Sequence, residues 1–134
     1  MRVILDCNII ISAGLNAGIC RDLIDEVLLK HQIFLSQKII AEYDRVIKRF
    51  ELNLAATKIF SETIPIILEV AKTIEPLESS FNLIDRDDEI YLATALAAKV
   101  DVIITGNRKH FPFDEYKGVK ILSPREFLTW VNTP

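Results

Sequence analysis

The stretch "RVILDCNIIIS", residues 2–12, joins an unbroken apolar run to an aspartate, and the apolar residues then resume on the other side of it. A short β-branched run without polar alternation suits a strand covered on both faces, the usual state of a strand in a parallel sheet. Asp6 follows that strand directly, with Asn8 and Ser12 in the turn and helix start behind it. Three further runs have the same character: "QIFL" at 32–35, "DVIIT" at 101–105 and "VKIL" at 119–122. Helical patterns lie between them. Ile19, Leu23, Ile24, Val27 and Leu28 recur at helical spacing over about 17–30. Over 36–50 a stripe of Ile39, Ile40, Tyr43, Val46, Ile47 and Phe50 turns Asp44, Arg45 and Lys48 away from it. Residues 53–74 read as helix, with Pro65 expected to kink or divide them. A helix is expected over about 88–99 after the polar loop "EPLESSFNL" at 75–83. The last helix begins at Ser123, where "SPRE" forms a capping box with Pro124 at its first position. This alternation predicts an α/β fold: one domain over 1–134, with a central parallel sheet of four to five strands flanked by helices on both faces.

The chain has 134 residues, half of them hydrophobic and 26% charged, with four Gly and five Pro, which is a globular composition. A net charge of -3 exerts no general pull on nucleic acid, so a phosphate-bearing partner needs a local basic patch or bound cations. Cys7 and Cys20 supply neither a disulfide framework nor a zinc set, and a reducing compartment is the simplest reading. The apolar N-terminal stretch is interrupted by Asp6 and Asn8, unlike a signal peptide. No uncharged apolar run reaches the roughly 18 residues of a membrane helix. The expectation is a cytoplasmic protein with no membrane partner.

In an open parallel sheet, ligands bind beyond the carboxyl ends of the strands, where strand order reverses. Asp6 would project there, although Asp after a strand also serves as a plain helix N-cap. Glu42 falls on the shoulder of the apolar stripe, where it is either a site residue or a surface Glu paired with Arg45. In "DRDDEIYLATALAA", residues 85–98, four acids crowd one helix start, and a single cap needs only one of them. Asp88 is the candidate, and Asp85 and Glu89 are expected to stay solvated. After the strand at 101–105, "ITGN" offers the Thr105 hydroxyl, a tight turn at Gly106 and the Asn107 carbonyl, or is simply a turn. Together Asp6, Glu42, Asp88 and Asn107 come from four elements that such a sheet brings to one crevice. Three carboxylates with oxygen-bearing helpers and no His or Cys ligands make a hard site, suited to Mg2+ or Mn2+ and to phosphoryl chemistry.

The order "VILDCNIIIS", "SQKIIAEYDRVIKRF" and "DDEIYLATALAAKVDVIITGN" resembles the PIN-domain ribonucleases, particularly the VapC-like toxins of toxin-antitoxin systems, over about residues 2–124. The resemblance implies a metal-dependent endoribonuclease. Its first acid, with Asn two residues on, falls on Asp6 and Asn8; its mid-chain Glu falls on Glu42. Its third acid falls on Asp88, with Asp87 as substitute, and its "T-x-D" falls on Thr105 and Asn107. Asp6 and Asp88 would bind the principal cation, Glu42 a metal water or second cation, and Ser12 would hydrogen-bond a carboxylate or metal-bound water. Asn107 departs from the pattern, because Asn supplies no negative charge. That departure implies weak binding of a second metal, a one-metal site or lost activity. The resemblance also implies an RNA substrate, a small antitoxin protein and a homodimer. Lys38, Arg45, Lys48, Arg49 and "NRKH" at 107–110 could flank the RNA. Two other readings stand beside it: a PIN-like RNA-binding or scaffold module, and an aspartate-based phosphatase or phosphoacceptor domain. Against the latter, "DCN" lacks the second Asp of a "DxD" phosphatase.

Overall fold

The computed structural model describes residues 1–16, 18–76 and 86–133. Asp85, the side chain of Asp87 and most of the loop expected over 75–83 lie outside them. The four apolar runs form β1 (Arg2–Leu5), β2 (Gln32–Leu35), β4 (Val102–Ile104) and β6 (Val119–Leu122). Two strands of two residues each, β3 (Lys72–Thr73) and β5 (Glu115–Tyr116), extend the edges. The sheet therefore has six strands among the described residues, in the order β3-β2-β1-β4-β6-β5, where the sequence predicts four to five. Neither edge strand has an apolar run to announce it: both β3 residues are exposed, and β5 is the short first arm of a hairpin with β6. Lys117 (φ 47) and Gly118 (φ 87) make that turn, the pair of positive φ values that a two-residue hairpin of type I′ requires. All other strand pairs are parallel.

Val3, Ile4 and Leu5 of β1 and Val102, Ile103 and Ile104 of β4 are all 0% exposed. Successive strand side chains point to opposite faces, so complete burial of both parities means that helices cover the sheet on both sides. These helices are α1 (Cys7–Leu15), α2 (Ile19–Lys30), α3 (Gln37–Ile47), α4 (Leu54–Val70), α5 (Arg86–Ala98) and α6 (Pro124–Val131). Ser36 caps α3 by accepting from the Ile39 amide at 3.3 Å. Around α6 the predicted capping box is complete: Ser123 Oγ accepts from the Glu126 amide and Glu126 Oε1 from the Ser123 amide. Residues 54–70 form one helix with Pro65 inside it rather than a divided pair. The carbonyl that loses its donor is that of Ser61, four residues earlier and on the exposed side, where water can replace the missing bond. Among the described residues no helix is long and apolar enough to cross a membrane.

The chain builds outward from β1 through β2 to β3, then crosses back to place β4 on the other side of β1. The order thus reverses between β1 and β4, and the register Leu5↔Ile104 brings their carboxyl ends level. A crevice opens where the two chains diverge.

Candidate metal centre

Asp6 is the first residue past β1, and its amide still bonds the Ile104 carbonyl at 2.9 Å, so the backbone is fixed by the sheet up to the carboxylate. It is also the N-cap of α1, with Oδ1 accepting from the Asn8 amide at 3.4 Å. Its Oδ2 accepts from the Thr105 hydroxyl at 2.8 Å and from Asn8 Nδ2 at 3.4 Å. Capping and site-building are therefore one arrangement. Asn8 Oδ1 in turn accepts from the Gly106 amide at 3.0 Å, and the Asn107 amide donates to Thr105 Oγ1 at 3.0 Å. A Cβ at Gly106 would lie 3.3 Å from Asn8 Oδ1, so the absence of a side chain lets this turn approach α1 closely. Asp6, Asn8, Thr105 and the half-buried Asn107 thus form one hydrogen-bonded patch across the β1–β4 switch point.

Glu42 reaches the same place from α3. It is 9% exposed, which removes it from the class of surface glutamates. Its Oε1 accepts from the Cys7 thiol at 3.5 Å, and one donor atom each from Asp6, Cys7 and Glu42 lie within 4.8 Å of one another. Burial, then the charges of Asp6 and Glu42, push the Cys7 thiol up to about 12, so at neutral pH it is a protonated donor to Glu42. The Cys7 amide donates to the Tyr91 hydroxyl at 3.2 Å, and the Tyr43 hydroxyl donates to the Leu5 carbonyl. Burial chiefly holds both phenols well above their usual range, with the Asp6 charge adding in the same direction, so they remain neutral beside the acids. The sequence reading gave Cys7 no role. Its position directly after the strand-end acid was the available signal.

Asp88 is 6% exposed and sits on α5 one turn before Tyr91, whose hydroxyl meets the Cys7 amide. It lies outside the three-residue group of Asp6, Cys7 and Glu42. Farther along α5, the Thr94 hydroxyl donates to the Ile90 carbonyl at 2.7 Å and accepts from the Ser36 hydroxyl at 3.0 Å, which ties that helix to the start of α3. Glu89, expected to be solvated, is 9% exposed. The reason lies in the cover around α5, which packs against β1, β2, β4 and α3 and buries Asp88, Glu89, Tyr91, Leu92, Thr94, Ala95 and Ala98. Ser12 is half-buried on α1, about 9 Å of helix rise beyond Asp6, and its hydroxyl makes no hydrogen bond among the described residues. The structure does not join it to the patch. Lys38, Arg45, Lys48 and Arg49 are exposed on and just after α3, with Lys48 paired to Asp44 at 3.0 Å.

A sequence profile described as PIN domain matches residues 2–109, most of the chain. No curated protein matches it. Among solved structures it is similar to a chain of VapBC2 from Rickettsia felis, a complex bound to a DNA fragment from its promoter. That likeness has a TM-score of 0.61 at 14% identity and covers 92% of this chain and 98% of that one, which is a likeness of fold. The profile match, the parallel sheet reversing between β1 and β4 and the buried acids at that reversal agree, and the chain belongs to the PIN domain family.

Proposed function

We propose that this protein is a metal-dependent endoribonuclease and the toxin of a toxin-antitoxin pair. The observation that carries the reading is Asp6, fixed by Thr105 and Asn8 at the switch point with Glu42 beside it and Asp88 buried on the adjoining helix. Carboxylate and carbonyl oxygens are the donors that Mg2+ and Mn2+ take, so the residues present fit a hard divalent cation. Asp6, Glu42 and Asp88 would hold it, with Asn107 as a neutral oxygen donor. Bound there, the cation would neutralise phosphate charge and lower the pKa of an attacking water.

The chain's own residues supply orientation. Thr105 and Asn8 fix the Asp6 carboxylate from the β4 turn and from α1, and the Cys7 thiol directs one oxygen of Glu42. Burial restricts these side chains to few rotamers, which keeps the geometry ready before RNA arrives. In-line attack of water on phosphorus would leave a 5′-phosphate and a 3′-hydroxyl. The exposed cations of α3 would meet the RNA backbone. A small antitoxin covering the crevice, in keeping with the fold shared with VapBC2, and a homodimeric state, which rests on the family resemblance alone, complete the proposal. Incubating defined RNAs with Mg2+ or Mn2+ tests it: wild type cleaves, while Asp6→Asn and Asp88→Asn do not. Equal cleavage by all three would trace the activity to a contaminant. Metal-dependent RNA retention without scission would instead assign a binding or scaffold module.

A further inference from the structure

Cys7 separates this pocket from one built of oxygen donors alone. The side chain is 5% exposed and occupies the position between Asp6 and the rest of α1, facing a glutamate thirty-five residues away in sequence. Two ligands on one tetrahedral zinc, with Zn–S and Zn–O lengths of about 2.3 and 2.1 Å, lie about 3.6 Å apart. Cys7 Sγ and Glu42 Oε1 already lie 3.5 Å apart, and Asp6 brings a third donor atom within 4.8 Å of both. The bound of 4.8 Å on the other separations exceeds the spacing of two ligands on one zinc by about an ångström.

We propose that Cys7 is a sulfur ligand that makes this metal pocket accept thiophilic divalent cations, Zn2+ and Cd2+, in competition with Mg2+ or Mn2+. The inference rests on the reading of the pocket as a metal centre. It adds that the ligand set is Asp6, Cys7 and Glu42 for a soft cation, whereas the hard cation is held by oxygens alone. On binding, the S–H bond breaks, a sulfur–metal bond forms and the proton passes to solvent, with no change of oxidation state. Zinc held by three protein ligands leaves one open position, so occupancy by the soft ion would displace the hard one and alter or stop cleavage.

The test uses the full chain freed of metal, with Cd2+ as probe and the ultraviolet sulfur-to-cadmium charge-transfer absorption as readout. Wild type and Cys20→Ser are expected to develop the band at one Cd2+ per chain, and Mn2+ in excess should reverse it. Cys7→Ser should lack the band and bind Cd2+ about tenfold or more weakly, while its Mn2+ affinity, followed by the electron paramagnetic resonance of free Mn2+, falls by a clearly smaller factor. Retained Mn2+ binding also reports that the variant is folded. A band that survives in Cys7→Ser, that vanishes in Cys20→Ser, or that Mn2+ leaves unchanged would overturn the assignment. No band in a wild type that binds Mn2+ defeats the sulfur ligand alone. No binding of Mn2+ by wild type defeats the hard-metal reading, whatever the cadmium spectrum shows.

Discussion

Thr105 has one hydroxyl proton and donates it to Asp6 at 2.8 Å, while its oxygen accepts the Asn107 amide. This makes Thr105, fully buried, the residue that sets which way the Asp6 carboxylate faces. Second-layer hydrogen bonds to metal-binding groups typically carry about ten- to a hundredfold in affinity. Thr105→Val, which keeps the shape and removes the hydroxyl, should weaken Mn2+ binding by about that factor, and Thr105→Ser should restore most of it. Calorimetric titration of the three proteins measures both, and equal affinities would remove Thr105 from the centre. The strand ends and helix starts at which Asp6, Asn8, Thr105 and Asn107 meet were legible in the sequence; Glu42 and Asp88 were candidates there with surface or capping readings beside them, and the resemblance chose between the two. Cys7 and Glu89 were not legible. A thiol meeting a carboxylate from another helix leaves no local spacing to read, and the burial of Glu89 depends on how many elements surround α5. Ser12 shows the converse: a residue near Asp6 in sequence can be carried away by nearly two turns of helix.

Between elements, the tightest constraint is the crossing of α1 and α4. A Cβ at Gly14 would fall 2.3 Å from Cε1 of Phe60, whose ring is 4% exposed and cannot swing into solvent. Overpacking of this kind costs about 1–3 kcal/mol, so Gly14→Ala should lose that much stability in urea denaturation. Combining it with Phe60→Leu should recover part of the loss relative to the sum of the single changes, the sign of a direct contact. Purely additive effects would place the two residues apart. The other testable junction is the start of α6. The hydrogen bond from the Ser123 backbone amide foremost, then the Ser123 side chain and the nearby Arg108 guanidinium, hold Glu126 below the usual carboxylate range against the opposing effect of burial. A carboxyl depressed in the folded state contributes stability that is present above its ordinary pKa, 4.5, and is lost as pH falls through the lower folded value. Glu126→Gln should therefore flatten the stability profile of the native protein in that acid window and leave its slope near neutrality alone. An unchanged acid limb would show that the cap does not titrate with folding. The capping box was readable because it is local, as were the four buried strands. Whether Pro65 bends or divides α4 was not, because that depends on which side of the helix, here the exposed side at Ser61, carries the lost bond.

At the scale of the whole molecule, a chain of net charge -3 concentrates buried acids where α1, α3 and α5 meet the sheet, and it does so at a cost in stability. Asp6 and Glu42 approach each other around a protonated thiol that separates but does not neutralise them. Proteins hold such arrangements for function, and the cation that uses them should also relieve them. Linkage fixes the size: a ligand at a hundredfold excess over its Kd stabilises the folded state by about 2.7 kcal/mol. Saturating Mn2+ should therefore raise the Tm of the wild type by several degrees. Glu42→Gln keeps a carbonyl able to accept the Cys7 thiol while removing one charge, so in chelator it should melt at or above the wild-type temperature. Its Mn2+-dependent rise should be less than half as large. Calorimetry of both proteins with chelator and with Mn2+ decides the matter. A variant that melts lower in chelator and gains as much from Mn2+ would mean that Glu42 serves packing rather than the cation. The tension between stability and metal binding would then have to be sought at Asp6 and Asp88 alone.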